Sequence, residues 1–103
     1  MKKRVEKIDC VVALAKKLMV AGAYAISDHA FERGDERRIS IGDIKNIIST
    51  GYHEKKKDEY KDEFEDWNYS IRGQTLDQEP ARVCLAFIKK NHFIVITVIR
   101  LEG

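Results

Sequence analysis

The beginning of the chain carries apolar residues at steps of three and four, which is the spacing of one face of an α-helix. These positions are Val5, Ile8, Val11, Val12, Ala15, Leu18 and Met19. The pattern predicts an amphipathic helix over residues 2–21. Gly22 supplies a residue that can adopt positive φ just past its end. Residues 24–26 are then expected to form a short extended link.

Two further helices are predicted from side chains that suit helix N-termini. Ser27 is a good N-cap for a helix that begins at Asp28, whose negative charge suits the first turn. Ser40 is followed three residues later by Asp43, which is a start similar to a capping box. The apolar stripe of this third helix consists of Ile41, Ile44, Ile47 and Ile48. Gly51 is expected to end it.

In the second half of the chain the apolar period changes from 3.6 to 2, which predicts strands. Residues 67–72 alternate between apolar and polar, as a strand with one solvated face does. Residues 82–88 and 93–101 are apolar at both alternating sets, so they are expected to be central strands joined by a hairpin turn at residues 89–91. A fourth, outer strand is predicted over residues 52–57, because its lysines suit an edge.

This order of elements predicts an α+β fold in a single domain of residues 1–103. Three N-terminal helices are expected to pack on an antiparallel sheet of about four strands. Residues 1–22 supply the first helix, which we expect to pack against the sheet rather than in a partner's groove, and residues 23–103 supply the rest. The side chains expected in the core of the sheet are Val83, Leu85, Phe87, Ile94, Ile96 and Val98.

Net charge alone does not indicate a nucleic-acid-binding protein, because 19 basic residues stand against 17 acidic ones. The distribution is more informative. Residues 51–66 carry 4 basic and 7 acidic residues, whereas the rest of the chain carries 15 basic and 10 acidic ones. If the acidic segment lies away from it, the remainder can present a surface that attracts phosphate. The alternative is that scattered lysines and arginines only solvate the helices.

The cysteines and the apolar runs bear on the cellular compartment. Cys10 and Cys84 lie in apolar runs, which suits reduced thiols that pack as small hydrophobes. Glu6, Lys7 and Asp9 interrupt the apolar run that a signal peptide needs. No stretch reaches the roughly 18 apolar residues of a transmembrane helix. We therefore expect a reduced, cytoplasmic protein with no membrane partner.

The densest group of polar residues lies in the predicted second helix. His29, Arg33 and Arg37 stand four residues apart and therefore share one helical face. A neutral imidazole can accept the 2′-hydroxyl proton of RNA, while guanidiniums neutralise the charge that develops on the phosphorane. The alternative is that Glu32 and Glu36 hold the arginines in ordinary surface ion pairs.

Other chemistries find little support in residue spacing. The three histidines are far apart, and no HExxH or CxxC spacing predicts a metal site. The Gly-rich nucleotide-binding motifs and the GxSxG motif are also missing, so neither a cofactor nor a metal is expected. Arg100 ends an apolar strand, from which its side chain can reach either solvent or a site. Arg72 is favoured over Tyr69 as a substrate ligand, because Tyr69 shares its strand face with apolar residues.

Several segments resemble the bacterial domain of unknown function 4258. They are Ser27-Asp28-His29-Ala30-Phe31-Glu32-Arg33, Glu36-Arg37, Ile39-Ser40, Asp43-Ile44, Trp67-Asn68-Tyr69-Ser70-Ile71-Arg72-Gly73 and Ile94-Val95-Ile96-Thr97-Val98. The resemblance spans residues 24–100 and leaves out the first helix. This sequence departs from the family pattern at Gly34, where the family has methionine, and at Arg38, where it has glycine.

The resemblance implies a relation to the RelE, colicin and barnase-like fold of metal-independent ribonucleases. It implies an RNA-cleaving domain of toxin type, with RNA as substrate and an antitoxin protein as partner. On this hypothesis His29 is the general base or acid. Arg33, Arg37 and Arg100 surround the phosphate, and the substrate also binds Arg72. The alternative is a non-catalytic module on the same fold that binds protein or RNA. The pattern defines no oligomeric state.

Overall fold

A computed structural model describes residues 4–101, which form three α-helices, one 3₁₀ helix and six strands. In chain order they are α1 (Val11–Val20), β1 (Tyr24–Ile26), α2 (Asp28–Arg37), α3 (Ile41–Thr50), β2 (Tyr52–His53), the 3₁₀ helix (Lys55–Lys57), β3 (Glu59–Lys61), β4 (Asp66–Gln74), β5 (Pro80–Ile88) and β6 (His92–Arg100). The α+β class is confirmed. Within residues 4–101 no helix is long and apolar enough to cross a membrane.

The six strands form a mixed sheet in the order β1-β6-β5-β4-β2, and β3 pairs with the remaining part of β4. β1 runs parallel to β6, whereas the other described pairs are antiparallel. The expected antiparallel sheet of about four strands is therefore wrong in both strand number and direction. The missed strands β1 and β3 are three residues long each. A strand of that length is too short to show an alternating pattern, so the sequence suggested a link and a loop instead.

The outer strand predicted over residues 52–57 is much shorter, since β2 ends at His53 and a 3₁₀ helix follows. The cause lies at Ser70 on β4. The Ser70 amide N–H donates to the carboxylate of Asp58 at 3.0 Å, and the Ser70 carbonyl accepts from the Glu54 amide at 2.8 Å. With both backbone groups of Ser70 occupied in this way, the chain leaves the strand ladder after β2 and returns to it at β3.

Helix α1 begins at Val11, not near the start of the chain as predicted; the first residues of the predicted helix lie outside the described part. The residues just before α1 contact the sheet. The Ile8 amide donates to the Tyr69 hydroxyl at 2.9 Å, and the Val5 carbonyl accepts from the Trp67 indole at 2.9 Å. The apolar spacing at the chain start therefore covers two parts: a segment before α1 that packs along β4, and the helix α1 itself.

One apolar core lies between the helices and one face of the sheet. Its buried residues are Val11, Ala15, Leu18, Ala30, Ile39, Ile44, Ile47, Ile48, Tyr69, Ile71, Ala81, Val83, Leu85, Phe87, Phe93, Val95 and Val98. Helix α1 reaches this core mainly through its contact with α3. The opposite face of the sheet carries none of these core residues and is called the open face below.

A β-bulge shifts the register between β5 and β6. Leu85 pairs with Val95, and the preceding residue Cys84 pairs with Thr97, so Ile96 is left without a partner opposite to it. Because side chains alternate along a strand, one extra residue exchanges the faces of all residues beyond it. The alternation of β6 therefore changes at Ile96.

The bulge explains why part of the predicted core is wrong. Phe93 and Val95 before the bulge and Val98 after it are buried. Ile94 and Ile96, which were expected in the core, are only half-buried, because they lie on the open face. The sheet residues whose burial is confirmed are Val83, Leu85, Phe87 and Val98.

Asp43 joins the start of α3 to the loop before β5. The predicted capping box is confirmed: the Ser40 hydroxyl accepts from the Asp43 amide at 3.1 Å, and the Ser40 amide donates to the Asp43 carboxylate at 2.8 Å. The same carboxylate accepts from the Leu76 amide at 2.9 Å. Burial raises the pKa of Asp43, but the hydrogen bonds from Ser40 and Leu76 and the charge of Arg100 outweigh this effect and leave the pKa below its usual value.

The linkage of Asp43 predicts a pH-dependent stability. At pH 7, Asp43→Asn should lower the free energy of unfolding by about 1–2 kcal/mol, because an amide nitrogen cannot accept from Ser40. A carboxyl whose folded pKa is lowered contributes stability above its unfolded pKa and loses it as the pH falls through the folded value. In urea denaturation, the difference in unfolding free energy between the variant and the unmodified chain should therefore shrink as the pH falls below the usual pKa of an aspartate and through the lowered pKa of Asp43. A difference that does not change with pH would contradict this role.

The two faces of the sheet predict unequal costs for the same substitution. Ile71→Ala removes a fully buried side chain and should cost about 2–5 kcal/mol of unfolding free energy. Ile96→Ala removes a half-exposed side chain on the open face and should cost about 1 kcal/mol. Urea denaturation of both variants measures the difference. Equal losses would show that Ile96 belongs to the core after all.

Candidate functional site on the open sheet face

Helix α2 lies along the part of the β6 edge that β1 does not pair. The predicted N-cap is confirmed, since the Ser27 hydroxyl accepts from the Ala30 amide at 3.0 Å. The same hydroxyl donates to the Ile96 carbonyl at 3.2 Å, and the Ser27 amide donates to the Val95 carbonyl at 3.0 Å. β1 ends at Ile26, so beyond this residue the edge of β6 contacts the N-cap of α2 instead of a strand.

Two of the predicted catalytic arginines bind backbone carbonyls in the structure. Arg37 donates to the Val98 carbonyl on β6. In return, Arg100 on β6 donates from Nε to the Arg37 carbonyl and from Nη2 to the Arg38 carbonyl, each at 3.0 Å. Arg100 also forms an ion pair with Glu79. The structure therefore brings Arg37 and Arg100 together, and their contacts tie the end of α2 to the end of β6.

The end of α2 contains both departures from the family pattern. Arg38 has left-handed backbone angles, with φ 56° and ψ 44°, where glycine is less strained. The Ile39 amide donates to the Gly34 carbonyl at 2.8 Å. A Cβ atom on Gly34 would lie 2.7 Å from the Ile39 carbonyl oxygen. Glycine at this position therefore lets the chain fold back closely over the last turn of the helix.

His29 and Arg33 share the predicted helical face with Arg37, which we call the α2 stripe, but they do not form a site with it. Arg33 forms an ion pair with Glu36 at 2.9 Å, one turn along the same helix. His29 is exposed near the start of α2, and no hydrogen bond or ion pair links its side chain to another described residue. The stripe consists of an exposed imidazole, a surface ion pair and a guanidinium bound to backbone.

Arg72 lies on the opposite side of the sheet from Arg100. Ile71 faces the core, so its neighbour Arg72 faces away from it. Arg100 pairs with Ala81, which is a core residue, and paired residues share a face. The predicted substrate ligand Arg72 and the arginines Arg37 and Arg100 are thus separated by the sheet.

The open face carries a charged group that the sequence reasoning missed. Arg72 and Arg82 are opposite each other on β4 and β5. Arg82 Nε donates to Glu54 Oε1 at 2.7 Å, and Arg72 Nη1 lies 3.8 Å from Glu54 Oε2. The side chains of Glu54 and Arg82 are 17% and 14% exposed, whereas that of Arg72 is 36% exposed. We call these three residues the Glu54 cluster.

The surroundings of the Glu54 cluster are basic. The hydrogen bond from Arg82 is the largest influence on Glu54 and lowers its pKa; burial opposes this effect, and the charges of Arg72 and Lys57 add to it. The 3₁₀ helix that follows Glu54 contributes three exposed lysines. Tyr52, which is paired with Arg72, is also exposed. A partly exposed guanidinium therefore lies within a positively charged part of the open face.

A buried carboxylate fixes Glu54 in this position. The side chain of Asp58 is 0% exposed and accepts from the Ser70 amide at 3.0 Å. It also lies 2.8 Å from His53 Nε2 and 3.0 Å from Lys7 Nζ. The Glu54 amide donates to the Ser70 carbonyl, so the backbone before the 3₁₀ helix and the Asp58 side chain after it are both anchored to the same residue of β4.

Neither the thiols nor a metal-ligand group adds a second centre in residues 4–101. Cys84 lies on the open face 3.7 Å from the Ser70 hydroxyl, and burial raises the pKa of its thiol, which disfavours the nucleophilic thiolate. Cys10 is exposed rather than packed in an apolar run, as was expected, and both cysteines are free. The described His, Cys, Asp and Glu side chains form no group of three suited to a metal ion.

One signal in the sequence could have indicated the Glu54 cluster. Arg72 and Arg82 occupy the outward positions of two strands that the pattern predicted correctly. Their pairing depends on the β4–β5 register, which the connecting residues 75–79 leave open in the sequence. Glu54 stands before a run of three lysines, which we interpreted only as the mark of an edge strand.

The family described as Domain of unknown function (DUF4258) matches this chain over residues 26–100. The match includes α2, α3, the Glu54 cluster and strands β2 to β6, whereas α1 precedes it. No curated protein and no solved structure matches the chain.

The contacts of the arginines predict different effects on stability. Arg100→Met removes charged donors from two backbone carbonyls and should cost about 1.5–3 kcal/mol of unfolding free energy. Arg33→Met, the matched control, removes a surface ion pair and should cost less than about 1 kcal/mol. Thermal and urea denaturation measure both. An Arg100→Met variant with an unchanged free energy of unfolding would show that the contacts of Arg100 between α2 and β6 are dispensable.

Proposed function

The chain belongs to the family of domain of unknown function 4258, and we propose that it is a metal-independent RNA-cleaving domain whose centre is the Glu54 cluster. The observation that carries the proposal is the pair of guanidiniums, Arg72 and Arg82, around one carboxylate on the sheet face opposite to the helices. Guanidiniums on adjacent strands suit a phosphate group, which accepts several charge-assisted hydrogen bonds at once.

The basic surroundings support binding of an RNA backbone at this place. The exposed lysines of the 3₁₀ helix attract phosphates independently of sequence. Arg72 is the most exposed member of the cluster and lies farther from Glu54 than Arg82 does, so a phosphate reaches its guanidinium with the least rearrangement. A bound phosphate then shares the two arginines with Glu54. The pKa of Glu54 rises as a result, because it loses part of its positive surroundings.

Cleavage uses groups of the substrate and of the Glu54 cluster, together with a proton from solvent. Glu54 accepts the 2′-hydroxyl proton, and the 2′-oxygen attacks the adjacent phosphorus. Arg72 and Arg82 stabilise the negative charge of the phosphorane. The bond from phosphorus to the 5′-oxygen breaks, and this oxygen takes a proton from solvent. The products are a 2′,3′-cyclic phosphate and a free 5′-hydroxyl.

This proposal changes the roles of the residues in the α2 stripe. Arg37 and Arg100 act in stability, and His29 and Arg33 lie away from the reacting phosphate. RNA remains the proposed substrate. Because the family resemblance implies a domain of toxin type, we propose an antitoxin-like protein as the partner that restrains the activity.

Binding of RNA without cleavage is the second candidate, and two observations favour it. The pKa of Glu54 is lowered, which makes its carboxylate a weaker base. No histidine joins the cluster either. His53 is buried beside Asp58, whereas His29 and His92 are exposed on α2 and at the start of β6.

The proposal predicts the behaviour of the purified protein toward labelled single-stranded RNA. Cleavage should proceed in EDTA, leave a cyclic phosphate, and fail on DNA and on 2′-O-methyl RNA. Glu54→Gln should reduce the rate by about 10²–10⁴-fold with RNA binding retained. Arg72→Gln should weaken binding as well as cleavage and reduce its salt dependence. Gel analysis of products and fluorescence anisotropy measure the two quantities, and circular dichroism checks the fold of each variant.

Matched controls separate the possible outcomes. Arg33→Gln removes an arginine of the α2 surface and should leave both quantities unchanged. Binding that depends on Arg72 but produces no cleavage would establish the second candidate. Loss of cleavage in His29→Ala with full activity in Glu54→Gln would move the centre to α2. RNA that is neither bound nor cleaved would exclude both functions.

A further inference from the structure

A groove of about 470 Å³ lies between α2 and α3, on the side of the molecule away from the Glu54 cluster. We call it the α2/α3 groove. Its floor includes the buried residues Ala30, Ile39 and Ile44. Phe31 and Ile41 form its walls and are 50% and 44% exposed, although both are large apolar residues. Exposed apolar walls around an apolar floor are typical of binding grooves.

The charged residues that line the α2/α3 groove are the acidic Glu32 and Asp35. They stand three residues apart, so they share one side of α2 with Asp28 a turn earlier. Among the described residues, neither Glu32 nor Asp35 has an ion-pair partner. The groove is therefore apolar with an unneutralised acidic rim.

The two arginines within α2 contact other groups, and the exposed side chain of Arg38 at the end of the helix forms no ion pair with either carboxylate of the rim in the described part of the chain. Arg33 pairs with Glu36, and Arg37 donates to the Val98 carbonyl at the edge of β6. Helix α2 thus has a basic side, whose arginines are occupied, and an acidic side, whose carboxylates are free. The sequence places both kinds of residue on one helix, and the fold separates them.

We propose that the α2/α3 groove binds an amphipathic segment of a partner protein, with apolar side chains flanked by lysine or arginine. Charge complementarity selects this occupant: apolar side chains meet Phe31 and Ile41, and basic side chains meet Glu32 and Asp35. The same carboxylates repel a nucleic-acid backbone. Since helices and open face lie on opposite sides of the sheet, this site is independent of the RNA-cleaving function proposed above.

A model peptide tests the groove before any natural partner is known. The probe is a fluorescein-labelled helical peptide of leucine and lysine, about 15 residues long, compared with matched peptides that carry serine for leucine or glutamate for lysine. On addition of the leucine–lysine peptide to the ¹⁵N-labelled full chain, the amide resonances of Phe31 and Ile41 should shift. Those of Arg72 and Arg82 should stay in place. Both control peptides should bind at least about tenfold more weakly than the leucine–lysine peptide.

Substitutions test the charge and the apolar wall separately. The double variant Glu32→Lys, Asp35→Lys should weaken binding of the leucine–lysine peptide by about tenfold or more. The double variant Asp62→Lys, Glu63→Lys is its control, because it reverses two exposed acids outside the groove. Phe31→Ser should also weaken binding, whereas Phe64→Ser, which changes an exposed phenylalanine elsewhere, should not.

Several results would overturn the proposal. They are equal weakening by the groove variants and their controls, resonance shifts confined to other surfaces, and binding of the glutamate peptide as tightly as the lysine peptide. If single-stranded RNA shifts the same groove resonances, the occupant is RNA and not a basic partner protein. If the chain self-associates in sedimentation equilibrium and the same resonances shift with its concentration, the occupant is a second copy of the chain. The shift mapping uses the unmodified chain, so it decides the matter even if a variant fails to fold. RNA cleavage is measured separately and does not enter these outcomes.

Discussion

At Ser70 the outer edge of β4 loses its strand partner, and the side chain of Asp58 takes its place. A fully buried carboxylate costs several kcal/mol to desolvate, so it persists only where enough donors surround it. Here the donors are the Ser70 amide, the His53 ring and the Lys7 ammonium. They come from β4, β2 and the segment before α1. One ionic group thus holds three distant parts of the chain together.

The geometry of the open face follows from this carboxylate. Because Asp58 occupies the Ser70 amide, residues 54–58 leave the ladder and form a 3₁₀ helix instead of extending β2. The Glu54 side chain lies on the open face against the paired arginines Arg72 and Arg82. A continuous edge strand would have paired residue 54 with Ser70, because Tyr52 pairs with Arg72 and His53 with Ile71, and the residues after it would have extended along β4 instead of forming the 3₁₀ helix.

Signals that act over a few residues were predictable, and signals that depend on pairing were not. Ser27 and Ser40 mark helix starts correctly, because capping requires only the next three residues. The bulge at Ile96 has no such signature, since β6 is apolar on both sides and either alternation suits it. The burial of Ile94 and Ile96 was therefore predicted from a period that the register interrupts.

The candidate site shows the same division. A helical face of His29, Arg33 and Arg37 follows from spacing alone, but what a face contacts depends on the packing of the helix. Arg37 lies at the part of the β6 edge that the short strand β1 leaves unpaired. Its guanidinium, which the spacing predicts at a phosphate, therefore donates to the Val98 carbonyl. Arg72 was placed correctly on its strand face. Its partners Arg82 and Glu54 could not be assigned before the register of the sheet was known.

The packing of α2 determines which of its charged side chains are paired and which are not. The charge counts are nearly balanced, yet the fold sorts the groups: arginines of α2 bind Glu36 and Val98, while Glu32 and Asp35 remain free on its other side. The Glu54 cluster with its basic surroundings and the acidic α2/α3 groove therefore lie on opposite sides of one apolar core. The proposed partner segment in the groove would leave the Glu54 cluster accessible, so the proposed occupation of the groove and the proposed binding of RNA are compatible in one molecule.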